Sequence, residues 1–342
     1  MRGRLKIVSA GIGVCFVLIK ANAQDIHFSQ YLQAPLLANP ACTGVFEGDH
    51  RADINYRSQW NSVTAPFKTM DFSYDTHLFK TKHSKGSYLG VGLCIFKDKA
   101  GDADMTQFQA NGSISGVLKT GENSAFSVGL QGGYSQRSIN YDNLKWGTQY
   151  DGKAYNAALP STENNGFTSF GYADVSAGVL WHYNQDQESF AGGHSFSKID
   201  IGAAVQHVNR PRLKYFGLNE NLKMKFVTHA SAEIDLSDSR LTLVPSVIYM
   251  QQGTLNEIVV GGMLKYRIDK RTSRYTGFGK SSSVSFGTQY RYKDAFIPMF
   301  MFQKEDYAIG LSYDFNTSGL SNVSNHRGGY EISFCYLLGK KK

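Results

Sequence analysis

Nine histidines, four cysteines and a run of acids from Asp98 to Asp104 are the residues whose types could carry metal, redox or acid–base chemistry. Catalytic zinc on a helix needs two histidines one turn apart with a glutamate between them, and no His-Glu-x-x-His occurs. His207 and His229 fall in separate alternating segments, while His27, His50, His77 and His83 are scattered near the start, so we read structural or solvent-facing roles for them. Asp98, Asp102 and Asp104 flank Gly101, but their spacing is not that of a calcium loop and the distal glutamate is missing; they read as an acidic loop. The glycines from Gly129 to Gly133 lack the lysine and the strand–turn–helix setting of a phosphate loop. They suit strands whose small residues face a filled or narrow interior. A hydrolase would need a serine or threonine beside a histidine and an orienting polar group, and no spacing singles out such a set. No enzyme activity, cofactor or metal is expected.

The elements that would position any such residue are strands. Tyr330, Ile332, Phe334, Tyr336 and Leu338 share one face of the last alternating segment, opposite Glu331, Ser333 and Cys335. Tyr307, Ile309, Leu311, Tyr313 and Phe315 alternate in the same way with Ala308, Gly310, Ser312 and Asp314. Phe126, Val128, Leu130 and Tyr134 stand against Ser127, Gly129, Gln131 and Gly133. When nearly every strand has a wide apolar face opposed by small and polar residues, the large faces cannot all fit inside one core. A closed antiparallel barrel with lipid outside accommodates them. About fourteen strands are expected between residues 49 and 342, with the final strand closing on the first. Ala295–Gln303 is the least regular of them, because Phe296, Ile297, Met299, Phe300, Met301 and Phe302 leave no polar face. Counted from the first strand, the turns near 120–124, 236–240 and 304–306 fall on the periplasmic side and the longest connection, 138–166, falls outside.

Composition agrees with one strand-rich domain: 35 glycines, 20 tyrosines and 22 phenylalanines, with seven prolines and no linker-like stretch. Residues 1–23 read as a secretory leader, with Arg2, Arg4 and Lys6 before an apolar run and Ala21-Asn22-Ala23 as the cleavage site. The formal charge of +8 falls to +4 without Arg2, Arg4, Lys6 and Lys20, and to +1 without Lys340, Lys341 and Lys342. No basic patch survives to bind nucleic acid. Cys42, Cys94 and Cys335 have no metal spacing and need form no disulfide.

Residues 24–48 alternate poorly and carry Pro35 and Pro40, so a short structured arm or plug is expected, on the periplasmic side of the barrel or entering its lumen. The inner-face charges Asp53, Arg57, Asp71, Asp75, Asp174, Glu233, Lys265, Arg267, Arg291 and Glu331 have two readings: the lining of an aqueous channel, or a satisfied network in a plugged lumen. Mixed signs give no ion selectivity.

Phe28-Ser29-Gln30-Tyr31, Asn39-Pro40-Ala41, Thr43-Gly44, Tyr56-Arg57-Ser58-Gln59-Trp60 and Pro66-Phe67-Lys68-Thr69 resemble, in this order, the opening of the PorP/SprF family, outer-membrane proteins of type IX secretion in Bacteroidota. Asp98-Lys99-Ala100-Gly101-Asp102, Gln149-Tyr150-Asp151-Gly152, Gln206-His207-Val208-Asn209-Arg210-Pro211, and Pro245 with Gln252 and Glu257 resemble later motifs of the family, so the likeness spans the mature chain. It implies an integral outer-membrane protein, in contact with outer-membrane lipids, that assists assembly of the secretion machinery or the secretion and surface attachment of an adhesin, including in gliding motility. The implied partners are a periplasmic ring lipoprotein and its companion, or the C-terminal domain of a secreted adhesin. Phe28, Tyr31 and Leu36 in the arm are candidate contacts for the first; Arg210, Arg212, Tyr215 and Phe216 in an outer loop are candidates for the second. A passive or specific porin is the alternative.

Overall fold

The computed structural model describes residues 25–61, 65–79, 86–141, 144–162, 169–185, 195–215, 218–236, 239–268, 282–319 and 321–339; the expected leader lies outside them. Period-two alternation produces long strands: β1 (His50–Gln59), β2 (Phe67–Leu78), β3 (Tyr88–Ala100), β4 (Met105–Lys119), β5 (Ser124–Ser138), β6 (Ser169–Asn184) and β7 (Ser195–Gln206). A short hairpin follows, β8 (Arg212–Tyr215) and β9 (Leu218–Asn221). The wall resumes with β10 (Lys225–Asp235), β11 (Leu241–Gln252), β12 (Leu255–Arg267), β13 (Ser282–Arg291), β14 (Ala295–Lys304), β15 (Tyr307–Asn316) and β16 (Arg327–Leu338). All but β8 and β9 form one closed antiparallel barrel of fourteen strands, and β1 pairs with β16 so that Ile54 faces Phe334 and Arg57 faces Glu331.

The two faces separate as the alternation requires. Ile54, Phe72, Leu93, Ile114, Leu130, Val260, Leu311 and Ile332 point outward and are exposed, whereas Asp53, Asn55, Asp71, Ser113, Ser127, Ser312 and Ser333 are buried inside. A surface this apolar around the whole wall fits hydrocarbon, in which a closed barrel leaves no unpaired strand edge. Aromatic pairs band both ends: Tyr307 stacks on Tyr336 at 4.8 Å near the rim of the strand termini, and Tyr313 meets Phe315 at 4.8 Å toward the other.

An even number of strands puts His50 and Leu338 at the same rim, the periplasmic one by the rule for bacterial barrels. The turns at 120–123, 236–240 and 305–306 lie on that rim, and the 139–168 connection lies on the outer one, as the strand count predicts. The irregular segment near 295 does form a strand. Its inward residues Ala295, Ile297 and Met299 make an apolar patch with Met263, and Pro298, which has no N–H to give, interrupts the ladder between β14 and β15.

Candidate functional site

The lumen is occupied. Of the two placements considered for the amino-terminal arm, its contacts give the lumen along the described length from residue 25 to residue 48. Two prolines and the lack of alternation bar it from joining the wall as a strand, and it folds into short turns: Tyr31–Gln33, the single helical turn α1 (Pro35–Ala38) and Pro40–Cys42.

At its outer end, the Asp25 backbone N–H donates to Gln252 Oε1 at 2.9 Å. The Asp25 carboxylate meets His207 Nε2 and Gln252 Nε2 at 2.6 Å each and lies 3.5 Å from Arg137. The other ring nitrogen of His207 pairs with Asp174 at 2.9 Å. Burial alone would lower the His207 pKa, but the two carboxylates outweigh it and raise it to about 9, so the imidazolium is held. Burial would likewise raise the Asp25 carboxyl, yet His207, with Lys225 and Arg137, holds it well below the usual carboxylate range.

Further in, the arm is latched to the seam of the barrel. Ser29 N–H and Gln30 N–H donate to the two oxygens of Glu331 at 2.8 and 2.9 Å. Glu331 also pairs with Arg57 at 3.0 Å across the β1–β16 junction, and Arg57 bonds the His27 carbonyl and reaches Asp314 at 3.2 Å. Arg291 bridges Asp314 and the Ser29 hydroxyl at 3.0 and 2.5 Å. Every one of these charges is nearly buried and has a partner, as charges in such a place must be.

The rest of the arm runs along a track of small wall residues. Asn39 is fully buried; its amide donates to the Val179 carbonyl at 3.0 Å, and its oxygen caps the Pro40–Cys42 turn by accepting from Ala41 N–H at 2.9 Å. A Cβ at Gly178 would lie 2.0 Å from that oxygen, at Gly129 2.4 Å from the backbone of Pro40 and Ala41, and at Gly90 2.3 Å from the Thr43 carbonyl. Only glycine permits the arm to pass so close. Ser127 and Ser115 donate to the Ala41 and Thr43 carbonyls at 2.7 and 2.6 Å, and Gly44 N–H reaches Asp75 at 2.7 Å. Apolar contact completes the fit: Tyr31 packs with Ala204, Val227, Ile248, Met250 and Val259, and Ala41 and Val45 pack with Tyr88, Val117, Ala125 and Leu180. Between the arm and the outer part of the wall a polar cavity of 30 Å³ remains beside Lys225, Gln109 and Asp174, room for a water or two.

Phe28, Tyr31 and Leu36 are therefore buried packing residues, at 4%, 6% and 0% exposure, and are not accessible to a partner while the arm is in place. Arg210 and Arg212 are exposed on the outer face, Tyr215 ends strand β8, and Phe216 lies outside the described residues. The sequence reading missed the anchoring roles of Asp25, His207 and Gln252. His207 and Gln252 do fall in segments singled out for their family likeness, and that was the signal to follow. Among the described residues no cluster of three His, Cys, Asp or Glu could hold a metal ion, and Cys42, Cys94 and Cys335 are unbridged.

Residues 20–336 match the family model of the type IX secretion system membrane protein PorP/SprF. The chain belongs to the PorP/SprF family. It is thus an integral outer-membrane component of type IX secretion. No curated protein matches the chain. Similar solved structures include a mutant TodX monoaromatic hydrocarbon channel (8% identity, 90% of this chain and 94% of that one, TM-score 0.49). BamA from Haemophilus ducreyi lacking POTRA domains 1–3 (10%, 84% and 70%, TM-score 0.41) and the β domain of the Bordetella autotransporter BrkA (9%, 85% and 99%, TM-score 0.38) are others.

Proposed function

We propose that this PorP/SprF barrel acts in type IX secretion as a non-enzymatic surface anchor, holding the C-terminal domain of a secreted adhesin by its outer face. The observation that carries the reading is the arm, which among the described residues runs through the lumen from its outer part to its periplasmic end, bonded to the wall along its course. That disfavours the porin alternative. It also removes Phe28, Tyr31 and Leu36 from any periplasmic docking surface, which leaves the outer loops as the candidate contact. Leu213 and Leu222, from strand β8 and just after β9, pack on Tyr172, and this seating turns Arg212 and Lys214 out to solvent beside exposed Arg210. A hairpin seated on the wall and presenting arginines is suited to protein recognition.

Help in assembling the secretion machinery, through a ring lipoprotein and its companion, is the second reading. One observation favours it: the periplasmic half of the lumen keeps partly exposed charges at Lys198, Asp200, Glu233, Lys265 and Arg267. Photo-crosslinkers at Tyr215 and at Lys265 in native membranes separate the two. Capture of a secreted protein at Tyr215 supports the anchor. Capture of a periplasmic ring component at Lys265, with nothing at Tyr215, replaces it with the assembly role.

A further inference from the structure

We infer that the arm is threaded outward through the barrel, so that the amino-terminal end left by removal of the expected leader, at Asp25, lies at the outer mouth on the cell-surface side. Asp25 is held by Gln252 at the outer end of β11, by His207 just beyond the outer end of β7, and by Arg137 next to the outer end of β5. Ser29 and Gln30 lie deeper, on Glu331. Asn39 meets Val179 and His229 at the middle of the wall. Phe46 packs edge-on against His77 at the periplasmic ends of the strands, and Glu47 accepts from Asn184 at 2.9 Å. The two ends of the arm thus lie at opposite rims, Asp25 toward the outer one and Phe46 and Glu47 at the periplasmic one, with a turn back toward Gln206 at Leu37 in between.

A chain that begins in the periplasm must carry its amino-terminal end outward as the barrel forms. Glu331 and Arg57 face each other across the closing seam, and both hold the arm. A Cβ at Gly129, Gly178 or Gly90 would overlap the arm, so arm and wall fit closely along its course. None of this depends on the surface-anchor reading, only on the barrel's orientation in the outer membrane.

The test uses the full chain in its native outer membrane, with a short epitope inserted between Ala23 and Gln24 and, in a second strain, after Lys342. Antibody should bind the first on intact cells and the second only after permeabilisation. An amino-terminal epitope detected only after permeabilisation overturns the inference. Should the epitope block assembly, a single cysteine inserted at the same place is labelled with an impermeant maleimide. Labelling several-fold above the parent on intact cells is expected; labelling at the parent's level overturns it. Glu47→Cys, exposed at the other end of the arm, should label only in permeabilised cells. Labelling of E47C on intact cells would reverse the threading.

Discussion

The lumen has two halves built from the same kind of wall and treated oppositely. On the seam side, Arg57, Arg291, Asp314 and Glu331 are each at most 5% exposed, because the arm crosses them and supplies backbone amides, a carbonyl and a hydroxyl. On the β7–β13 side of the periplasmic half, Lys198 is 38% exposed, Glu233 31%, Lys265 26% and Arg267 22%, and these pair with one another or with Asp200 and Asp235 rather than with the arm. Inward charge therefore does not by itself mark a channel. What decides is whether another segment covers the charge, since a covered charge must be paired and a hydrated one need not be.

The largest expected contrast comes from removing one acid on each side. Glu331→Ala leaves Arg57 buried with one partner fewer and two arm amides without an acceptor, and should cost roughly 3–5 kcal/mol. It would appear as a large fall in the temperature at which the folded gel band is lost. A drop no greater than that of a vestibule variant would mean that the latch does not hold the arm.

Next is pH. His207 has a folded pKa raised to about 9 from an ordinary value near 6.5, so its stabilisation is complete below about 6.5 and is lost as pH rises toward 9. The loss should reach roughly 3 kcal/mol by pH 9.5. His207→Gln should flatten the dependence of the unfolding temperature between pH 6.5 and 9; an unchanged slope in that variant would remove His207 from the account.

Gly129→Leu intrudes on Pro40 and Ala41 and should cost about 1–3 kcal/mol through overpacking, whereas Gly132→Leu, whose Cβ meets nothing, should be close to neutral. Parallel unfolding curves for the two would contradict the track. Smallest of all, Lys265→Ala removes a hydrated pair at 3.3 Å and should change stability by under about 1 kcal/mol, which added salt should further reduce.

The wall was legible because alternation is local: Ser127, Gly129 and Gln131 face inward and Val128 and Leu130 outward as their order requires. The closure of β16 on β1 and the parity of the turns followed from the strand count. The arm's course was not legible. Its partners lie up to 303 residues away, as Gln30 and Ser333 do, and a segment without period two carries no mark of which wall it will touch. Glycines facing a filled or narrow interior were the indirect trace. The poorly alternating β14 has a matching cause: Ala295, Ile297 and Met299 face inward as an apolar patch instead of a polar face. Phe28, Tyr31 and Leu36 read as partner contacts because aromatic and leucine side chains outside a strand serve interfaces and cores alike. Here the interface is internal, between the arm and its own barrel.

The central claim is that the arm seals the lumen, and conductance in a planar bilayer tests it most directly. The purified intact barrel should show no steady ohmic steps, and a variant lacking residues 25–44 should conduct. Steady conductance of the intact protein, equal to that of the arm-deleted variant, would contradict the account.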